Sequence, residues 1–250
     1  MTSPTKREWL VPGGLILLSA VPVIAGAARL TELTGGATVT PDNARFVASP
    51  APVLVHIVAA SLFCLLGAFQ FARRLRRRRP GWHRIAGRLL IPCGLAAALS
   101  GLWMTVFYPR PPADDVLLTP IRLGAGSAMA CCIVLGVAAV RRRDIPRHQA
   151  WMARGYAIGL GAGTQVLTHL PWMLLAGPPS GHTRVLLVTA GWVINLAVAE
   201  WALRRRRTKP GRTAGELAEP SPAARAAARP QQPPAPATSL ARTPTSGGSL

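Results

Sequence analysis

An all-α fold is what this sequence predicts: a polytopic bundle of six transmembrane helices, both termini cytoplasmic, followed by a disordered C-terminal tail. Three observations lead there. The chain alternates six long, nearly uncharged runs with short polar connections; its basic residues crowd onto every second connection; and tryptophan and tyrosine gather where the runs end. Half of the 250 residues are hydrophobic and 15% are charged, against about 25% charged in soluble domains. A net charge of +20 raises nucleic-acid binding, yet a soluble binder of that charge spreads its bases over a polar surface. Here they come in bursts between apolar stretches, with no recognition motif beside them, so no nucleic-acid partner is expected.

The first run, 9–28, follows Lys6 and Arg7. The second, 46–72, is broken only by His56. The third is 89–109. The fourth, 116–140, has Arg122 near its start; the fifth, 155–183, contains His169 and His182; the sixth, 185–203, carries Glu200 near its end. Most approach or exceed the ~20 residues that a helix needs to cross a hydrocarbon layer about 30 Å thick. Buried soluble helices of that length seldom recur six times in one chain. The membrane domain therefore occupies 1–208. Residues 209–250 are rich in Pro, Ala, Ser and Thr, with too few large apolar side chains to bury a core, and are expected to form a disordered cytoplasmic tail.

Orientation follows from the basic residues. With six alternating spans, 21 of the 29 Lys and Arg fall on one side, and only Arg29, Arg45, Arg110, Arg122 and Arg184 on the other, the rest being in the tail. Basic residues mark the cytoplasmic face, which puts both ends inside and the protein in the cell membrane. Trp9, Trp82, Trp151 and Trp201 then lie at the inner edge, and Trp103, Tyr108 and Trp172 at the outer, as an aromatic belt at each interface requires. A competing reading takes Lys6, Arg7 and the run ending in Ala25, Gly26 and Ala27 as a cleaved signal peptide, leaving five spans. Against it, the apolar run is longer than most signal cores and Glu8 sits in the basic leader.

The inner arginines attract anionic lipid headgroups, so membrane lipids are the expected partners; the oligomeric state is open. Cys64, Cys93, Cys131 and Cys132 all fall inside spans without CxxC spacing and read as packing residues, with no metal site expected. The stretch "GYAIGLGAG", Gly155 to Gly163, imitates a nucleotide loop. It lies inside an apolar span, so its glycines are assigned to close helix packing, with Gly94, Gly101, Gly124 and Gly126.

Two inner connections share a layout. "RRRRPGWHRIAGR" and "RRRDIPRHQAWMAR" each place a proline after an arginine cluster, then a histidine, then an arginine at the threshold of the next span. Proline suits the first turn of a helix, so each should contain a helix start. Together with "LVHIVAASLFCLLGAFQF" these blocks resemble a bacterial family of predicted multi-pass membrane proteins, domain of unknown function 2306. The matching positions are His56, Gln70 and Phe71; His83, Arg84, Gly87 and Arg88; and His148, Trp151, Met152, Arg154 and Tyr156. The resemblance covers residues 53–175 and implies a multi-pass helical body without an assigned activity. Where many members carry an arginine in the fifth span, this chain has "GTQVLTHLPW".

Polar groups within the membrane are costly and are the first functional candidates. His56 lies about 26 Å along a helix from Arg73, and His169 about 22 Å from Arg154, at ~1.5 Å per residue. Both paths start at the inner boundary, so the two histidines share a depth in the outer third, with Gln165 one turn below His169. Such a pair can ligate b-type haem or contact a quinone, and His83 with His148 forms a second pair at the inner edge. The plainer alternative is that His56 and His169 bond neighbouring helices while His83 and His148 sit in polar loops among lipid phosphates. A redox-linked membrane protein holding haem or quinone through His56, His169, His83 and His148 is the specific expectation. A small transporter of a neutral or anionic solute, or a non-catalytic membrane component, is the alternative. Coupled carriers usually place a carboxylate in the membrane; here only Glu200, beside the terminal arginines, and the amide of Asn195 are polar in the sixth run. No catalytic residue is assigned. A topology reporter fused after Arg110 should read as external; a cytoplasmic readout would overturn the span count or the orientation.

Overall fold

The computed structural model of the chain describes residues 9–36 and 38–207. The tail expected over 209–250, and Lys6, Arg7 and Glu8, lie outside them. The described residues form nine helices and no strand. They are α1 (Leu10–Thr34), α2 (Ala44–Ala48), α3 (Pro50–Gln70), α4 (Arg73–Arg78), α5 (Pro80–Phe107), α6 (Leu118–Arg141), α7 (Ile145–Gly159), α8 (Gly161–Ala176) and α9 (Gly181–Arg207).

Five of these, α1, α3, α5, α6 and α9, are long and apolar enough to cross a membrane. The fifth uncharged run of the sequence is not one helix. It is split at Leu160 into α7 and α8, of 15 and 16 residues, each too short to qualify alone. At the break the Gly163 N–H turns to the Leu160 carbonyl at 3.0 Å, a tighter pattern than the α-helical ladder. Side chains from the neighbouring helix satisfy the disturbed region. Asn195 of α9 donates from Nδ2 to the Ala157 carbonyl at 3.0 Å, and its Oδ1 accepts from the Thr164 hydroxyl at 2.6 Å. Further along α8, Gln165 and Thr168 donate to the Val188 and Leu187 carbonyls of α9. Interrupted helices survive in hydrocarbon only with such partners.

The prolines start helices as expected. Pro80 opens α5 and Pro146 lies in the first turn of α7. One consequence corrects the sequence reading: α5 begins nine residues before the apolar run, so His83 stands on its first turn, and His148 likewise on the first turn of α7, rather than in loops. The α6–α7 connection is a tight hairpin. Arg143 takes φ 60°, the Arg143 N–H bonds the Val140 carbonyl at 3.0 Å, and the Asp144 N–H bonds the Ala139 carbonyl at 2.9 Å. This is a Schellman closure with arginine where glycine is favoured. Asp144 then caps α7 through the Arg147 N–H at 3.0 Å.

The core lies where α3, α5, α6 and α7 meet, around Phe63, Leu90, Ile133 and Tyr156. Tyr156 packs its ring on Phe63 and Phe71 and donates its hydroxyl to the Cys64 carbonyl at 2.6 Å. The glycines of the fifth run do pack closely: a Cβ on Gly161 would collide with the Trp192 indole, and one on Gly163 with the Leu18 carbonyl of α1. Gly94 and Gly126 similarly face Phe63 and Leu102. Gly124 does not share this role, since nothing lies within 4 Å of where its Cβ would be. Cys64 and Cys132 are buried whereas Cys131, next to Cys132, is exposed. Ala25, Gly26 and Ala27, the small-residue stretch of the signal-peptide reading, lie inside α1, where Gly26 abuts Ile57 of α3.

The outer surface is apolar. Leu17, Ile24, Leu174, Leu175 and Leu186 are each 68–88% exposed, and no more than a third of any spanning window is buried. Apolar surface on that scale needs lipid to cover it, which places the protein in a membrane. Aromatic residues group at the two ends as expected. Phe69 stacks edge-on with both Trp9 and Trp82, and Trp103 with Tyr108. Replacing Arg143 with glycine should relieve the left-handed strain and stabilise the hairpin by about 0.5–1 kcal/mol. A thermal melt of the purified protein in maltoside micelles reads this as a rise of a few degrees; an unchanged or lower midpoint refutes it.

Candidate functional site

The long helices surround a cavity of about 800 Å³ whose wall takes residues from α1, α2, α3, α5, α6, α7, α8 and α9. Its lower part is apolar, with Phe63, Met129, Val188 and Trp192 among its lining. The break at Leu160 faces it, as Gly159, Leu160 and Gly163 are all on the wall.

His56 and His169 both line this cavity, 113 residues apart in sequence. His56 is on the second turn of α3 and His169 is eighth from the end of α8, so each lies within about 12 Å of the same end of the bundle at 1.5 Å per residue. Their local chemistry is alike. His56 Nδ1 is 2.9 Å from the Ala97 carbonyl, with Ser100 Oγ at 3.2 Å. His169 Nδ1 is 2.7 Å from the Gln165 carbonyl, one turn back on its own helix. A carbonyl only accepts, so each Nδ1 carries the proton, and in the neutral ring Nε2 is left as an acceptor or metal ligand. Gly101 makes room for His56: a Cβ there would come within 3.3 Å of the imidazole.

The other two histidines sit at the opposite end. His148 Nδ1 donates to the Gly136 carbonyl at 2.8 Å, tying the start of α7 to α6. His83 Nδ1 is buried without a hydrogen-bond partner, and the two rings are near enough to act on each other electrostatically. His56 and His169 thus line one cavity, and His83 and His148 lie near each other at the other end. Among the described residues there is no cluster of three or more His, Cys, Asp or Glu suited to a metal ion.

Glu200 pairs with Arg154, 46 residues away in sequence. Arg154 Nε and Nη2 donate to the two carboxylate oxygens at 2.5 and 3.1 Å. The Arg154 guanidinium also lies over the Trp151 ring at 5.0 Å. This two-point contact joins α9 to α7 at the end that carries the arginine clusters.

Residues that the sequence did not single out form the far rim of the cavity. The Asp114 side chain, in the loop after α5, is completely buried between two guanidiniums. Arg122 of α6 donates from Nη1 to Oδ2 at 2.5 Å. Arg184 Nε lies 2.6 Å from Oδ1, yet its N–H is not aligned with that oxygen, so charge rather than a formed hydrogen bond holds the second contact. Arg45 of α2 completes the group, its guanidinium 4.6 Å from the Phe46 ring centre. Burial holds Arg45 below the ordinary arginine value; Asp114 opposes that shift, and the nearby Arg122 and Arg29 add to it. Arg45, Arg110, Asp114, Arg122 and Arg184 all line the cavity. The available signal was the short set of arginines on the basic-poor side: four of those five residues are here.

The family pattern described as predicted membrane protein (DUF2306) matches residues 53–203. The chain belongs to this family. No curated protein and no solved structure matches it. The DUF2306 region runs beyond the stretch recognised in the sequence, 53–175, and takes in α9 with Arg184, Asn195 and Glu200. It also holds His56, His83, His148, His169 and every member of the Asp114 cluster except Arg45. Asp114→Asn should leave two facing guanidiniums without their counter-charge and destabilise the protein by about 1–3 kcal/mol. The thermal midpoint should fall by several degrees, while Arg110→Gln, on an exposed side chain, should leave it within error; equal effects would deny Asp114 its bridging role.

Proposed function

We propose that this protein is a six-span membrane protein, with both termini cytoplasmic, that binds a small oxygen-headed apolar molecule in its central cavity. α7 and α8 together make the fifth crossing. The basic connections Arg73–Arg78 and Arg141, Arg142 and Arg143 then fall on the cytoplasmic side and the Asp114 rim outside. The observation that carries the binding reading is that His56 and His169 both line the same cavity. Two imidazoles with Nδ1 already bonded to a carbonyl each leave Nε2 as the ring atom available to a ligand of the cavity. That suits a head group bearing hydroxyl or acid protons, quinols included. In this reading His83 and His148 are positioning residues: His148 fixes the α6–α7 hairpin, and its partner sits on the adjoining helix start.

The chamber's composition, largely apolar with few convergent polar groups, is what small-molecule sites in membrane bundles have in common. Haem ligation by the same Nε2 atoms is the competing chemistry, and one measurement separates them. The purified protein should carry a co-purifying apolar molecule, found by organic extraction and mass spectrometry. His56→Ala and His169→Ala should each lower its occupancy by about tenfold, the worth of one or two buried hydrogen bonds. His182→Ala, at an exposed side chain outside the cavity, should not. Equal occupancy in all four proteins would sink the reading. A Soret band that responds to dithionite and vanishes in both cavity variants would replace it with haem binding.

A further inference from the structure

The far mouth of the cavity is more basic than a membrane helix end requires. Four guanidiniums, Arg45, Arg110, Arg122 and Arg184, face it with one carboxylate, Asp114. At this end of the bundle arginine is otherwise scarce: of the five basic residues that the sequence places here, only Arg29 is off the cavity wall, and it is paired with Glu32 at 2.6 Å. The excess charge is therefore gathered at the opening instead of spread along the interface.

Asp114 organises that charge without neutralising it. Its side chain has no exposure, and its two oxygens are occupied, one by Arg122 and one by Arg184. A cation entering the mouth would find no free carboxylate oxygen. An anion would find donors. Each guanidinium has five N–H groups, and Asp114 faces one nitrogen of each. Arg122 and Arg184 are about one-third exposed, so they are held in place by the carboxylate yet reachable. Directly below, within about two helical turns, come the His56 and His169 imidazoles and then the apolar wall of Phe63, Met129 and Trp192.

We infer that the cavity selects an anionic amphiphile: a carboxylate or phosphate head held by Arg45, Arg122 and Arg184, with an apolar body in the chamber beneath. The inference rests on the proposed binding function and adds the charge of the ligand to it. The same head group occurs on a free single-chain acid and on an anionic bilayer lipid, and both fit this chemistry. Asp114 is a positioning residue in this site, and the arginines are its contacts.

Equilibrium binding to the full chain in maltoside micelles tests it, with hexadecanoate, hexadecyl phosphate, hexadecanol and inorganic phosphate as probes and phosphatidylglycerol as a competitor. Both acids should bind at least about tenfold more tightly than hexadecanol, the scale of a charge-assisted hydrogen bond. Arg45→Gln and Arg122→Gln should each abolish that preference while leaving hexadecanol affinity within about twofold. Arg45 has no direct bond to Asp114, so its variant keeps the test open if Arg122→Gln folds poorly. Competition by phosphatidylglycerol supports the inference with a bilayer lipid as the source; its failure to compete, with the acids bound, supports it with a free acid as the source. Hexadecanol binding as tightly as the acids overturns the inference and leaves the cavity reading standing. Inorganic phosphate matching the long-chain acids also overturns it, since the body would then contribute nothing. If none of the long-chain probes binds, the inference and the cavity reading both fail.

Discussion

The fold depends on satisfying a helical run that is interrupted inside the apolar body. In hydrocarbon an unpaired backbone carbonyl or N–H costs several kcal/mol, because no water reaches it. The chain interrupts its fifth apolar run at Leu160 and repairs the damage with side chains of α9 and α8. Asn195 reaches back to the Ala157 carbonyl and accepts from Thr164. That repair has a geometric result. Two shorter helices meeting at an interruption leave space that one straight helix would fill, and the cavity borders the interruption at Gly159, Leu160 and Gly163. Gly161 and Gly163, just after the break, let α9 and α1 close in against it.

The two ends of the bundle use charge in opposite ways. At one end arginines accumulate in connections and helix starts. At the other, a few arginines are drawn inward around a buried carboxylate. Removing a carboxylate from water is expensive unless it is fully paired, and Asp114 is bracketed by two guanidiniums. The loop after α5 thus supplies the single negative charge that holds α6 and α9 in register at the mouth of the cavity. The histidines between these ends are set by backbone carbonyls, so their orientation depends on α5 and α8 remaining regular around Ala97 and Gln165.

Much of the architecture was legible in the sequence, because lipid imposes length and charge rules on every spanning segment. The long runs, the helix starts at Pro80 and Pro146 and the aromatic groups all follow from spacing. The split at Leu160 was not legible: "AIGLGAG" is as apolar and as glycine-rich as an unbroken packing helix, and the polar groups that compensate it lie some thirty residues away in α9. The Glu200–Arg154 pair was not legible either, because the two residues are 46 apart in sequence. The Asp114 cluster was missed for a similar reason. Taken singly, Arg45, Arg122 and Arg184 read as ordinary interface residues, and only the folded chain brings them to one carboxylate. Gly124 shows the converse error, since small size alone does not reveal whether a neighbour is close.

α9 is fastened at two heights. Arg184 meets Asp114 near its start and Glu200 meets Arg154 near its finish, and the two fastenings are 16 residues apart, about 24 Å along the axis. Only about a tenth of its spanning window is buried, so it could not be kept in place by apolar contact alone. A helix held at both ends cannot tilt independently to suit a thicker or thinner bilayer. Mismatch with the surrounding lipid is therefore shared with the two elements to which α9 is fastened, α7 and the Asp114 loop, and both contribute to the cavity wall.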